Sequence, residues 1–205
     1  GATGTAGDVG VAGTTGAAGA TPPCAAPGAA IITDFGSGKT LVGAPYKGAD
    51  VGLAAPMVST SSGALVIKLD TGPPSTSYPY AYVGLPLSMC TGAGAYTGVK
   101  FNIGGTLSVG CTIQFSAVDA AHSTVANHGT CMAANCYPSS ARFELPATPT
   151  DVTILFADQS GGGADPGVSP LDPAHLLNLQ WQVNPATGDA GGCAGTVTID
   201  NVTFM

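Results

Sequence analysis

The chain has 205 residues, of which 8% are charged, with 12 acidic against 5 basic side chains and a formal net charge of −7. That balance excludes electrostatic capture of nucleic acid, and no basic cluster is present to hold an anionic membrane surface. No apolar run reaches the length of a membrane span, so membrane insertion is not expected and the surface must be made of Thr, Ser, Asn, Gln and Gly.

From the first residue, glycine recurs on a strict period of three: Gly1, Gly4, Gly7, Gly10, Gly13, Gly16 and Gly19, ending at Thr21-Pro22-Pro23. A Gly-X-Y phase suits a collagen-type triple helix or packed polyproline-II strands. It predicts an extended stem over residues 1–21, about 60 Å long at roughly 3 Å per residue. The X and Y positions hold chiefly Thr, Ala and Val and no proline. Such a stem needs neighbours, and it implies homo-oligomerisation through the stem. Residues 22–29 read as a Pro-rich hinge. Residues 30–205 read as one folded head, long enough for a well-buried core.

After residue 29 helical periodicity is nearly absent, and glycines and prolines punctuate short alternating or apolar runs. These fall at 30–34, 63–70, 79–87, 97–104, 110–118, 140–146, 151–157, 175–183 and 194–204. About nine strands between turn-rich loops predict an all-β jelly-roll β-sandwich. Alternation assigns faces. Ala81, Val83, Leu85 and Leu87 point inward, and Tyr78, Tyr80 and Tyr82 outward. Val99, Phe101 and Ile103 go in, Lys100 and Asn102 out. Cys111, Ile113, Phe115 and Ala117 are core, Gln114 and Ser116 surface. Leu177, Leu179, Trp181 and Val183 are buried, Asn178, Gln180 and Gln182 exposed. The outward set Tyr78, Tyr80, Tyr82, Lys100, Asn102, Gln114, Gln180 and Gln182 has the chemistry of a carbohydrate-binding face: rings for sugar faces, amides for hydroxyl pairs.

Six cysteines stand at positions 24, 90, 111, 131, 136 and 193. Cys131-x4-Cys136 lacks the second pair or His partner of a zinc knuckle. Disulfides are the expected state, which implies an oxidising, extracellular compartment. Cys131–Cys136 is the expected local pair. The other four allow three pairings, and spacing does not choose among them.

Catalytic signatures are weak. Gly36-Ser37-Gly38-Lys39-Thr40 echoes a phosphate loop, but Thr33 stands where the leading glycine belongs and no helix follows. No Gly-x-Ser-x-Gly elbow begins a serine triad. Glu144 is the only glutamate, and Arg142-Phe143-Glu144 suggests an outward ion pair rather than one of two hydrolytic carboxylates. Asp119, His122 and His128 share one loop and read as solvated residues near a disulfide. The chain is not expected to be an enzyme.

Several strand texts resemble carbohydrate-binding modules with a galactose-binding-like jelly roll, related to family 11. Asp34-Phe35 looks like the opening strand, and Tyr96-Thr97-Gly98-Val99-Lys100-Phe101 like the central one. Leu179-Gln180-Trp181-Gln182-Val183 looks like the strand before last, and Ile199-Asp200-Asn201-Val202-Thr203-Phe204 like the closing strand. The resemblance spans about residues 30–204. It implies binding residues on one sheet face, which map to Tyr80, Tyr82, Gln180 and Gln182, with Trp181 in the core. It also implies a structural calcium joining Asp34 to Asp200. The apolar phase shifts between Ile199 and Val202, as a β-bulge there requires. The expected function is a non-catalytic extracellular module that binds polysaccharide or cell-surface glycan and is displayed on the stem. The alternative is a structural subunit of a surface fibre or trimeric collagen-like assembly with no soluble ligand.

Overall fold

The fold is taken from a computed structural model, which describes residues 24–36, 42–73, 79–124, 128–132, 136–163, 170–185 and 192–205. The expected stem over 1–21 and Tyr78 lie outside the described residues.

The alternating runs form antiparallel strands because each has one apolar face that only a second layer can keep from water. The strands are β1 (Ile31–Thr33), β2 (Tyr46–Ala49), β3 (Met57–Ser61), β4 (Ala64–Asp70), β5 (Ala81–Thr91), β6 (Gly98–Leu107), β7 (Thr112–Asp119), β8 (Ala141–Phe143), β9 (Thr150–Leu155), β10 (Leu176–Asn184) and β11 (Ala194–Phe204). One sheet has the order β2-β5-β10-β7-β8. The other has the order β3-β4-β11-β6-β9, with β1 beside β11. β4 pairs with residues 194–199 of β11, and β1 pairs with Val202 and Thr203 beyond them. β2 and β3 add to the nine expected runs. Both are short edge strands without a buried alternating face, so period-two reading had nothing to detect.

The inward residues of the two sheets meet in one core. Val83, Leu85, Val99, Phe101, Ile103, Ile113, Phe115, Leu179 and Trp181 are all 2% exposed or less. Trp181 of β10 meets Phe101 of the opposite sheet edge to face, with ring centroids 5.2 Å apart. Phe115 closes the trio at 5.2 Å from Phe101 and 5.3 Å from Trp181. Edge-to-face and tilted rings satisfy their quadrupoles while filling the space between layers.

Two sidedness assignments change. Leu177 does not enter the core, because the register of β10 against both neighbours shifts between Leu176 and Asn178. The bulge turns Leu177 to the outer side. Ser116, expected at the surface, is 2% exposed. The bulge expected near Asp200 is present: β11 shifts register against β6 between Asp200 and Thr203, and Asn201 takes a φ of 49°.

All six cysteines are paired, as Cys24–Cys90, Cys111–Cys193 and Cys131–Cys136. The first ties the chain where it enters the head to the end of β5, and Ala25 bridges Thr91 alongside. Among the described residues no helix is long and apolar enough to cross a membrane.

Candidate functional site

Residues directly opposite on paired strands share one face, so the strand registers lay out the outer surface of the five-stranded sheet. One row reads Gly48–Tyr82–Gln182–Gln114–Arg142. The next reads Tyr46–Gly84–Gln180–Ser116. Pro86, Asn178 and Val118 form a third.

The first two rows contain a reciprocal pair of tyrosines and glycines. Tyr46 faces Gly84 across β2 and β5, and Tyr82 faces Gly48. A Cβ on Gly84 would lie 2.1 Å from the Tyr46 ring, and one on Gly48 would lie 2.4 Å from the Tyr82 hydroxyl. Each ring therefore lies down over a glycine, an arrangement only a missing side chain permits. Tyr82 then meets Tyr46 edge-on at 6.0 Å and stacks with Tyr80 at 6.1 Å and 29°. The result is a strip of three rings along the β2–β5 side of the sheet.

Beside the strip runs a ladder of amides on β10. Gln180 Nε2 donates to Gln182 Oε1 (3.3 Å), and Gln182 Nε2 donates to Asn184 Oδ1 (2.7 Å). The Tyr46 hydroxyl donates to Asn178 Oδ1 at 2.8 Å, which ties the ring strip to the ladder. These side chains are half-buried, fixed by one another yet open to solvent.

At the Asn178 end the surface deepens into a cleft of about 750 Å³, lined by Tyr46, Tyr82, Leu177, Asn178 and Gln180 on its floor and by His122, Ser123, Thr124 and Pro138 on one wall. That volume lies within the roughly 300–1,000 Å³ usual for small-ligand clefts. The wall is held by a carboxylate that sequence reading leaves in solvent. Asp119 and His122 are 0% and 2% exposed. Asp119 Oδ1 accepts from the His122 backbone N–H at 2.9 Å and lies 2.6 Å from His122 Nδ1, while Asp119 Oδ2 accepts from the Asp172 N–H. His128 is exposed.

Burial, and secondarily the neighbouring Tyr82, pushes the pKa of the Tyr46 phenol far above its ordinary range. Burial, then Asp50 and Tyr82, also raises that of Tyr80. The folded state thus holds the phenolic protons more tightly than the unfolded chain. Their contribution to stability is complete below a pH of about 10, the ordinary tyrosine value, and is lost as pH rises through and beyond it. Thermal melts from pH 8 to 11 are expected to show falling stability above about pH 10, with a shallower fall in Tyr46→Phe. A variant that follows the parent curve would remove Tyr46 as the cause.

Of the expected binding residues, Tyr80, Tyr82, Gln114, Gln180 and Gln182 share this face. Lys100 and Asn102 do not. They sit on β6, in the other sheet, where Lys100 Nζ lies 3.3 Å from Asp151 Oδ2 and Asn102 Nδ2 donates to Asp151 Oδ1 at 3.0 Å. Those hydrogen bonds, Asn102's first, hold the Asp151 carboxyl below its usual range. Alternation fixes a side chain's face within its own strand but not the sheet to which the strand belongs. Arg142 and Glu144 form no ion pair among the described residues, and Arg142 instead ends the Tyr82–Gln182–Gln114 row. Tyr46 was missed because its strand is only four residues long. The recurrence of Tyr-x-Gly in Tyr46-Lys47-Gly48 and Tyr82-Val83-Gly84 was the available signal.

Asp34, just past the end of β1, comes near Asp200 at the bulge within β11, since Thr33 pairs with Val202. Asp34 Oδ1 accepts from the Gly36 N–H and Asp200 Oδ1 from the Asn201 N–H. Calcium takes about six to eight oxygens. Among the described residues no third His, Cys, Asp or Glu side chain joins a cluster able to hold a metal. These two carboxylates do not make a cage by themselves.

No family model and no curated protein matches the chain. Solved structures do. The family 11 carbohydrate-binding module of the cellulosomal cellulase Lic26A-Cel5E of Clostridium thermocellum aligns with a TM-score of 0.55 at 12% identity, covering 88% of this chain and 96% of that one. The family 11 module from Clostridium thermocellum in complex with a β-1,3-1,4-mixed-linked tetrasaccharide aligns with a TM-score of 0.55 at 13% identity, covering 85% and 94%. Similarity at this level of identity speaks to architecture alone: the chain is a two-sheet jelly-roll β-sandwich like that of family 11 carbohydrate-binding modules.

Proposed function

We propose that the protein is a non-catalytic, extracellular carbohydrate-binding module that lays a polysaccharide or cell-surface glycan on the outer face of its five-stranded sheet. One observation carries the reading. The Tyr80–Tyr82–Tyr46 strip runs beside the Asn178–Gln180–Gln182–Asn184 ladder and leads into a cleft. The rings offer flat apolar faces to the C–H faces of sugar rings. The amides offer a donor and an acceptor side by side, as vicinal hydroxyls require. Because the rings are locked over glycines and the amides are bonded to one another, little side-chain freedom is lost on binding.

The mixed-linked tetrasaccharide held by one structural neighbour supports a β-linked glucan as the first ligand to try. The three disulfides fit an oxidising compartment. Display on the Gly-X-Y segment belongs to the same proposal, since several heads on one stem would bind one polymer with avidity beyond that of each head.

Titration calorimetry with mixed-linked β-glucan tests the reading. Tyr80→Ala combined with Tyr82→Ala is expected to weaken binding about tenfold or more, since two aromatic contacts worth about 0.5–1.5 kcal/mol each beyond their buried area are removed. A double variant that keeps its melting temperature and its affinity would count against this face.

A further inference from the structure

The ring strip carries a carboxylate at one end. Past the end of β2 the chain stays paired with the start of β5 for one more step, where the Asp50 N–H donates to the Tyr80 carbonyl at 2.9 Å. Asp50 therefore continues the outward series of Tyr46 and Gly48, and its side chain lies on the same face as Tyr80 and Tyr82. Its Oδ1 accepts from the Val51 N–H at 2.8 Å, which holds the carboxylate in place. The carboxylate is near enough to the ring to raise the pKa of the Tyr80 phenol, second only to burial. Tyr80 and Tyr82 are stacked at 6.1 Å and both half-buried, so part of each ring meets solvent.

Among the described residues no base stands on this part of the face. Lys47 lies between Tyr46 and Gly48 and so alternates to the other side of β2. Lys68 and Lys100 belong to β4 and β6 of the opposite sheet. Arg142 shares the face but stands on β8, at the far end of the row Tyr82–Gln182–Gln114–Arg142. At about 4.8 Å per strand spacing it is roughly 14 Å from Tyr82. The chain as a whole carries a net charge of −7. Local and long-range fields at the strip thus favour a cation, and the faces of tyrosine rings attract one within about 6 Å of their centres.

Resting on the carbohydrate reading above, we infer that the Asp50–Tyr80–Tyr82 end of the strip takes a sugar bearing a protonated amine, so that the preferred glycan is a polymer of amino sugars with free ammonium groups. A hydroxyl in the same place can hydrogen-bond to Asp50, but it brings no charge to the carboxylate or to the ring faces. An acetamide adds bulk and removes the charge as well. An ammonium gains from both partners at once, because its N–H groups donate to a carboxylate oxygen while its charge lies over the rings.

The test is calorimetric titration with β-linked oligosaccharides of equal length that differ only in carrying ammonium, hydroxyl or acetamide on each ring. It is run at a pH of about 5, where amines are protonated. The ammonium form is expected to bind about threefold to thirtyfold more tightly than the hydroxyl form, the combined size of an exposed cation–π contact and an exposed ion pair. The margin is expected to shrink at high ionic strength and in Asp50→Asn, which keeps the oxygen that accepts from Val51. Asp151→Asn removes the same charge from the opposite sheet and is expected to keep the margin. Equal affinity for the ammonium and hydroxyl forms would overturn the inference, as would a margin that Asp50→Asn leaves unchanged or that both variants lose equally. Binding of mixed-linked β-glucan in those cases leaves the carbohydrate reading in place. Absence of binding to that glucan and to all three oligosaccharides would remove both.

Discussion

Gly84→Ala is expected to abolish most glycan binding and to lower stability, the reverse of what a glycine-to-alanine change usually does in a strand. At an ordinary strand position alanine gains about 0.5–1 kcal/mol over glycine by restricting the unfolded chain. Here the new methyl carbon would stand 2.1 Å from the Tyr46 ring, a separation that no two carbons adopt. The ring must leave. With it go the Tyr46–Asn178 hydrogen bond at 2.8 Å and the edge-on contact with Tyr82. Overpacking of this kind costs about 1–3 kcal/mol. Gly48→Ala makes the same test on Tyr82, which would be met 2.4 Å from its hydroxyl. Calorimetric titration with mixed-linked β-glucan and a thermal melt read both consequences together. A raised melting temperature with unchanged affinity would show that the rings do not depend on the glycines beneath them.

Trp181→Ala is expected to be the most damaging single substitution in the core. The indole contacts Phe101 across the sandwich and Phe115 on the adjacent strand, so its removal leaves a void bounded by both layers. Aromatic-to-alanine changes in such places cost about 3–5 kcal/mol, a large part of the roughly 5–15 kcal/mol that keeps a domain folded. Trp181→Phe is expected to cost much less. It keeps an aromatic ring and discards an indole N–H that is buried without a hydrogen-bond partner. Denaturant midpoints followed by circular dichroism would separate the two variants. A loss below about 1 kcal/mol for Trp181→Ala would mean that the layers close over the gap.

Sidedness was legible in the sequence because it depends only on a period of two. Phe101 between Lys100 and Asn102, and Trp181 between Gln180 and Gln182, announce one buried and one wet face without knowledge of any neighbour. Partnership between strands was not legible in the same way. Lys100 and Gln182 alternate identically, yet they face solvent from opposite sheets, because strand order is set by long-range pairing. Leu177 was misassigned because one register shift reverses a side chain and leaves no compositional trace. Asp119 and His122 resemble loop residues by type, and only the fold brings the Asp172 amide to the carboxylate and makes its burial tolerable. The disulfides divide along the same line. The short Cys131–Cys136 closure could be read locally, whereas the other two pairs depend on which strand ends meet.

Those two longer disulfides have a mechanical consequence. Cys24–Cys90 and Cys111–Cys193 close loops of 66 and 82 residues in sequence separation. Tension applied between the two termini of the head passes through sulfur at both points, so it can lengthen only the stretches 90–111 and 193–205. Tyr46, Tyr80 and Tyr82 lie inside the first closed loop, and Gln114, Asn178, Gln180 and Gln182 inside the second. Under tension between its two ends the head would thus keep these residues out of the force path while other parts of the chain stretch.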